Sequence, residues 1–137
     1  MSLVDKLMAV DKGTFVSEET AEIKSRTLSK ILGEDTTVKV TGLESDLYMS
    51  IATRVVGKDG SADFSKAYDN AALLVVEGMV EPNLKDEKLQ KHFGAVTPKE
   101  LAKLLFKGNE LTDIAGKITE LSGFGGSSRE EEDEVKN

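Results

Sequence analysis

The stretch Thr36-Thr37-Val38-Lys39-Val40-Thr41 alternates β-branched and polar residues, and it is the clearest strand signal in the chain. Residues 22–27, Glu-Ile-Lys-Ser-Arg-Thr, precede it closely and also have the composition of a short strand. Because the two segments are near neighbours in sequence, we expect them to pair antiparallel. A two-stranded ribbon is only marginally stable alone, so it must pack against helices or pair with another chain.

Most of the remaining chain has helical patterns. Residues 64–80 form a long apolar segment that predicts the central and most buried helix. The last helix is predicted by apolar residues at helical spacing: Leu111, Ile114, Ile118 and Leu121. The predicted fold is therefore α+β and mostly α, with about six helices packed with a short antiparallel two-stranded β element.

The best-defined helix start is the motif at residues 97–100, Thr-Pro-Lys-Glu. Thr97 is suited to the N-cap, Pro98 to the first helical position, and Glu100 to the third, where it completes a capping box. The helix that begins here is predicted to direct three leucines inward: Leu101, Leu104 and Leu105.

Composition indicates one folded domain with a tail. The chain has 137 residues, of which 39% are hydrophobic and 31% are charged, which is typical of a single domain with a heavily charged surface. Residues 1–122 carry the predicted helices and strands and form the predicted globular domain. Residues 123–137 begin with a Gly/Ser-rich segment and continue into a run of acidic residues, so we predict a flexible linker and an acidic disordered tail.

The charge balance disfavours several classes of partner. The formal net charge is −7, whereas proteins that contact nucleic-acid phosphates or anionic membranes usually present a basic face. Residues 97–121 imitate a helix-turn-helix, but the second helix is acid-rich and lacks Arg. The chain starts without the long apolar core of a signal peptide, and no apolar run approaches the roughly 20 residues that span a bilayer. We therefore expect neither nucleic acid nor membrane among the partners.

A search for catalytic or cofactor chemistry is negative. The chain has no cysteine and a single histidine, His92, so the usual zinc clusters and Cys-His catalysis are excluded. Residues 57–63 suggest a calcium loop, but a loop that starts at Asp59 would have Phe64 rather than glycine at its sixth position, so we predict a turn here. The glycine-rich residues 123–126 lack the Lys-Ser/Thr of a phosphate loop. We expect no cofactor, no metal and no enzymatic activity.

Several motifs, distributed in order along nearly the whole chain, carry a family resemblance. They lie at residues 1–7, 22–33, 76–85, 93–101, 118–125 and 135–137. The most specific is residues 93–101, Phe-Gly-Ala-Val-Thr-Pro-Lys-Glu-Leu. Together these segments resemble the XkdN-like phage tail assembly chaperones.

The resemblance implies a non-catalytic protein of a phage or prophage that acts in the bacterial host cytoplasm. Such chaperones are thought to coat the tape measure protein and keep it soluble until the tail tube protein polymerises around it. The implied partners are therefore the tape measure protein and, secondarily, the tail tube protein. The resemblance also implies absence from the finished particle, and many members of such families occur in a second, longer form produced by ribosomal frameshifting.

No family motif fixes the partner-binding residues, so the candidates come from physical reasoning. A protein that keeps another soluble needs an apolar surface or an open strand edge to cover the partner's exposed segments. The edge of the strand at residues 22–27 and two phenylalanines meet this requirement, which gives five candidates: Ile23, Ser25, Thr27, Phe93 and Phe106. For both phenylalanines the alternative is burial in the core. An unpaired strand edge also predicts weak self-association into a homo-oligomer.

Two other functions remain open from the sequence. The chain could be a small structural tail component retained in the virion, or an acidic regulatory module that binds another protein. Mass spectrometry of purified particles separates the first of these from a chaperone. A module that mimics nucleic acid should display ordered acidic residues on one face of the domain.

Overall fold

The computed structural model describes residues 2–16, 18–55, 60 and 66–125. Within these ranges the chain forms eight α-helices, three strands and a short 3₁₀ turn at Thr53–Val55. The helices are α1 Leu3–Met8, α2 Lys12–Val16, α3 Arg26–Leu32, α4 Ser45–Ala52, α5 Ala67–Gly78, α6 Glu87–His92, α7 Pro98–Leu105 and α8 Asn109–Leu121. The strands are β1 Thr20–Lys24, β2 Thr37–Thr41 and β3 Met79–Glu81.

The three strands form one antiparallel sheet in the order β1-β2-β3. Ile23 of β1 lies opposite Val38 of β2, so the predicted antiparallel pairing is confirmed. In β2, Val38 and Val40 face the core while Lys39 is exposed, as its alternating pattern requires. The α+β class is confirmed, but the number of strands is three rather than two, because β3 adds to the other edge of β2.

Two boundaries near the sheet differ from prediction. The first strand ends at Lys24 rather than at residue 27, because Ser25 caps the following helix and its hydroxyl accepts the backbone N–H of Leu28 at 3.1 Å. The central helix α5 ends at Gly78, and residues 79 and 80, predicted to end that helix, belong instead to β3. Residues 64 and 65, at the predicted start of this helix, lie outside the described residues.

The helix count is also wrong, because the described residues contain eight rather than about six. Helix α2 was not predicted, since its five residues include Gly13 and two β-branched side chains, all poor helix formers. Helix α3 has seven residues and begins at Arg26, inside the segment predicted as the first strand. Neither α1 nor α2 contains a buried residue, so these short helices form an arm, residues 2–16, that is peripheral to the core.

The core is built on α5, which packs against α4, α7 and α8. The prediction for α8 is confirmed, with Leu111, Ile114 and Ile118 buried and Leu121 half-buried against the core. Gly78 lies directly against the Ile118 side chain, since a Cβ at position 78 would come within 2.6 Å of it. This contact brings the end of α5 and the end of α8 together beneath the sheet.

The end of the described chain is attached to the domain. The ring of Phe124 stacks on Tyr48 of α4, with ring centroids 4.5 Å apart and planes 12° from parallel. The hydroxyl of Ser122 accepts the backbone N–H of Leu43 at 2.8 Å. Residues 126–137, which contain the predicted acidic tail, lie outside the described residues, as does the predicted turn at 57–63 except for Gly60. No helix in the described ranges is long and apolar enough to cross a membrane.

Candidate partner-binding site

A largely apolar groove of about 690 Å³ lies between α3 and α7. Its apolar lining comes from Leu28, Ile31 and Leu32 of α3, Leu104 and Leu105 of α7, and Phe93 directly after α6. Its polar lining consists of Thr27, Lys30 and Lys107. We refer to this feature as the α3–α7 groove.

The α3 wall is apolar because of helical spacing. Leu28, Ile31 and Leu32 lie at i, i+3 and i+4 and therefore share one face of the helix. In an ordinary surface helix such a stripe faces the core. Here only Leu28 is half-buried against the core, while Ile31 is 72% and Leu32 61% exposed. The stripe is therefore left largely uncovered at the groove.

The α7 wall depends on the predicted helix start. The Thr97 hydroxyl accepts the backbone N–H of Glu100 at 3.1 Å, which confirms the N-cap. The Glu100 carboxylate accepts the backbone N–H of Val96 at 2.8 Å rather than that of Thr97, the residue that a capping box uses. The prediction that Glu100 completes a capping box is therefore wrong. Leu101 is fully buried as predicted, but the prediction that Leu104 faces inward is wrong, because it is 44% exposed and lines the groove.

A buried polar cluster fixes the N-terminus of α3 to the first turn of α8. The Ser25 hydroxyl donates to Oε1 of Glu110, and Thr27 donates to Oε2 through its backbone N–H at 3.0 Å and its hydroxyl at 2.5 Å. Burial raises the pKa of Glu110, but the hydrogen bonds from Ser25 and Thr27, with the charge of Arg26, outweigh burial and hold that pKa below its ordinary value. The carboxylate therefore remains ionised and fully hydrogen-bonded while it holds one wall of the groove in place.

The opposite wall is held to α5. Lys103 of α7 forms an ion pair and hydrogen bond with Asp69 of α5, and Lys99 lies 3.8 Å from the same carboxylate. The hydrogen bond and charge of Lys103 lower the pKa of Asp69. The two groove walls are thus positioned by separate polar contacts, one to α8 and one to α5.

The groove is basic in a chain that is acidic overall. Lys30 and Lys107 line it and also line a smaller adjoining cavity of about 290 Å³ together with Arg26. Among the described residues, Arg26 forms a long ion pair, 3.7 Å from the exposed Asp113. Neither lysine forms an ion pair within the part of the chain that the structure describes. An uncovered apolar surface is therefore flanked by two lysines that form no ion pair among the described residues.

The five predicted contact residues are placed differently by the structure. Phe93 is 45% exposed and Thr27 half-buried, and both line the α3–α7 groove. Ile23 is half-buried against the core, and Ser25 is fully buried beside Glu110. Phe106 is also fully buried, because its ring belongs to the central core, so the folded domain does not offer it to a partner.

The main groove residues were missed by sequence reasoning: Lys30, Ile31, Leu32, Leu104 and Lys107. The i, i+3, i+4 stripe in residues 28–32 was the one available signal, since it gives α3 an apolar face. The open edge proposed for the first strand belongs to β1, whose outer edge pairs with no strand in the described ranges. Thr20, Glu22 and Lys24 are the exposed side chains along β1.

No metal-binding cluster occurs among residues 2–16, 18–55, 60 and 66–125, where no three His, Cys, Asp or Glu side chains are grouped to hold an ion. The single histidine, His92, lies edge-on to the ring of Phe93, with centroids 4.8 Å apart. It is exposed at the end of α6.

These features define a small, helix-rich α+β domain with an open apolar groove flanked by lysines. The chain belongs to the phage XkdN-like tail assembly chaperone protein family, whose model matches residues 4–136. Its structure is also similar to the crystal structure of the protein yqbn, with a TM-score of 0.55 and 21% sequence identity over 85% of this chain and 98% of that chain. That likeness shows a shared fold. No curated protein matches the sequence.

Proposed function

We propose that this chain binds the tape measure protein in the bacterial host cytoplasm and keeps it soluble during tail assembly, without catalysing a reaction. The observation that carries the proposal is the uncovered apolar surface of the α3–α7 groove in a member of a tail assembly chaperone family. Contact with the tail tube protein and weak self-association through the outer edge of β1 belong to the same proposal.

The size of the groove suits a weak and reversible contact. Four apolar side chains, Ile31, Leu32, Phe93 and Leu104, are each roughly half exposed or more. Covering the exposed half of each contributes on the order of 3–6 kcal/mol in total. Association costs about 4–15 kcal/mol in lost freedom, so one groove alone binds weakly. A long partner with many apolar segments is then coated by many copies, each of which can leave when the tube forms.

The test is co-expression with the cognate tape measure protein, followed by a pull-down and measurement of its soluble fraction. The informative variant is Ile31→Ser with Leu104→Ser, and the matched control is Val96→Ser, which removes an 82% exposed apolar side chain outside the groove. Val96→Ser should change the free energy of unfolding by about 0.5 kcal/mol or less, whereas Ile31→Ser and Leu104→Ser each lose some buried area and should lower it by about 0.5–1.5 kcal/mol. Circular dichroism verifies that the double variant is folded.

We expect the tape measure protein to remain soluble and to co-purify with the wild type and the control, and to sediment with the double variant. Failure of the wild type to bind or solubilise it, even with a frameshifted long form supplied, would contradict the proposal. The alternative of a structural tail component makes a different prediction. In that case the chain should be found in stoichiometric amounts by mass spectrometry of purified particles, whereas a chaperone should be absent from them.

A further inference from the structure

We propose that the α3–α7 groove selects amphipathic helical segments whose apolar stripe is flanked by acidic residues. This inference rests on the proposed function, because it names the kind of tape measure segment that the groove accepts. It follows from the length of the groove walls, the number of exposed apolar side chains and the charge beside them.

The length of the walls matches a short helix. Helices α3 and α7 contain seven and eight residues, so at 1.5 Å per residue each wall is about 10–12 Å long. Apolar side chains at positions i, i+3, i+4 and i+7 of a bound helix span about 10.5 Å, which matches the length of each groove wall. An extended segment of that length holds only three or four residues, of which about two would face the groove. A helix therefore brings more apolar side chains to the four exposed apolar groups of the groove.

The charge beside the groove favours acidic flanks. Lys30 and Lys107 have no ion-pair partner in the described ranges, and Arg26 stands beside them in the adjoining cavity. Solvent-exposed ion pairs contribute little affinity, but like charges in their place are repelled. The lysines therefore contribute mainly to selectivity, because they disfavour basic helices relative to acidic ones.

The N-terminal arm of this chain is a weaker candidate for the groove. Residues 2–16 expose apolar side chains, but Asp5 and Asp11 are balanced there by Lys6 and Lys12. The arm therefore lacks the net negative charge that the groove lysines favour. Occupation by the arm, or by a second copy of the chain, is a separate outcome of the experiment below.

The experiment uses the full chain and two labelled designed peptides of about 18 residues, long enough to form helix in water. Both carry leucine at i, i+3, i+4 and i+7. One has glutamate and the other lysine at the positions flanking the stripe. Fluorescence anisotropy gives the dissociation constants at low and high salt. Circular dichroism verifies that each protein variant is folded.

We expect the glutamate peptide to bind about tenfold more tightly than the lysine peptide at low salt, with a smaller difference at high salt. The double variant Lys30→Glu, Lys107→Glu should reverse the preference. Leu104→Ser should weaken both peptides, and Val96→Ser should weaken neither. Equal affinities in the wild type, or an unchanged preference in the lysine double variant, would overturn the inference.

Two further results would assign the groove to another occupant and also overturn it. In the first, the peptide binds only after residues 2–11 are deleted, which identifies the arm as occupant. In the second, sedimentation shows a self-associated chain that Leu104→Ser dissociates, which identifies a second copy. The co-expression assay distinguishes failure of this inference from failure of the proposed function. If the chain solubilises the tape measure protein but does not discriminate between the peptides, only this inference is contradicted. If it discriminates between the peptides but does not solubilise the tape measure protein, the proposed function is contradicted and the peptide preference of the groove is retained.

Discussion

The hydroxyl of Ser25 donates a hydrogen bond to the carboxylate of Glu110, 85 residues further along the chain. The same carboxylate accepts two hydrogen bonds from Thr27. Ser25 also caps α3, so a single hydroxyl both starts this helix and attaches it to α8. Two of the residues predicted as partner contacts, Ser25 and Thr27, thus bond to Glu110 to support the groove wall.

We predict that Glu110→Gln lowers the free energy of unfolding by about 1.5–3 kcal/mol, the contribution of hydrogen bonds to a charged group. The amide N–H₂ of glutamine would face the donors of Ser25 or Thr27, so buried polar groups would lose their partners. Urea unfolding at neutral pH measures the change. Glu120→Gln is the matched control, because Glu120 is exposed on the same helix, and it should change stability by about 0.5 kcal/mol or less. Equal effects of the two substitutions would contradict the role of this cluster.

The same carboxylate predicts a pH dependence of stability. Its pKa in the folded chain is lowered, whereas in the unfolded chain it has the ordinary glutamate value of about 4.3. A lowered folded pKa means that the unfolded state binds the proton more readily. The stabilisation is therefore complete above a pH of about 4.3 and is lost as the pH falls through the folded pKa. The stability difference between the wild type and Glu110→Gln should shrink on acidification below about pH 4.3, and a constant difference down to pH 3 would argue against it.

The contact between α5 and α8 predicts opposite effects for two glycine substitutions. Gly78→Ala would place a Cβ within 2.6 Å of the Ile118 side chain, so we expect a loss of about 1–3 kcal/mol. Gly116→Ala, on the exposed side of α8 with nothing within 4 Å of its Cβ, should stabilise the chain by about 0.5–1 kcal/mol. Thermal unfolding of both variants measures these changes in stability. An unchanged stability of Gly78→Ala would show that the two helices can move apart without loss of folding free energy.

The stacking of Phe124 on Tyr48 predicts where the chain can be shortened. A chain that ends at Ser122 loses this aromatic pair, and one that ends at Gly125 retains it. We expect the shorter chain to be less stable by about 0.5–1.5 kcal/mol from stacking, and by more once the area that the ring covers is included. Comparing urea midpoints of the two chains is sufficient. Identical midpoints would place Phe124 with the predicted linker rather than with the domain.

Local signals were enough for part of the fold. The alternation in β2, the Thr97 cap and the helical spacing in α8 each depend on residues close in sequence, and all three are confirmed. Strand β3 could not be found in the same way. It has only three residues directly after a helix, and it is a strand because β2 lies beside it.

The groove was harder to predict, because exposure is decided by distant parts of the chain. Phe93 and Phe106 have the same local setting, each being the first residue after a helix. One ring is half exposed at the groove and the other is at the centre of the core. Likewise Leu101 and Leu104 lie in one helix, yet only Leu101 is covered by the rest of the domain. No pattern within a few residues separates these pairs.

The two walls of the α3–α7 groove come from opposite halves of the sequence, which has a consequence during translation. The wall that contains Ile31 leaves the ribosome first, and Lys107 emerges on the order of 4–15 s later at ordinary rates of synthesis. Until then the first wall has neither its opposite side nor the Glu110 carboxylate that anchors it. A nascent chain therefore lacks the complete groove, and the binding that we propose for it requires that nearly the whole domain has been made.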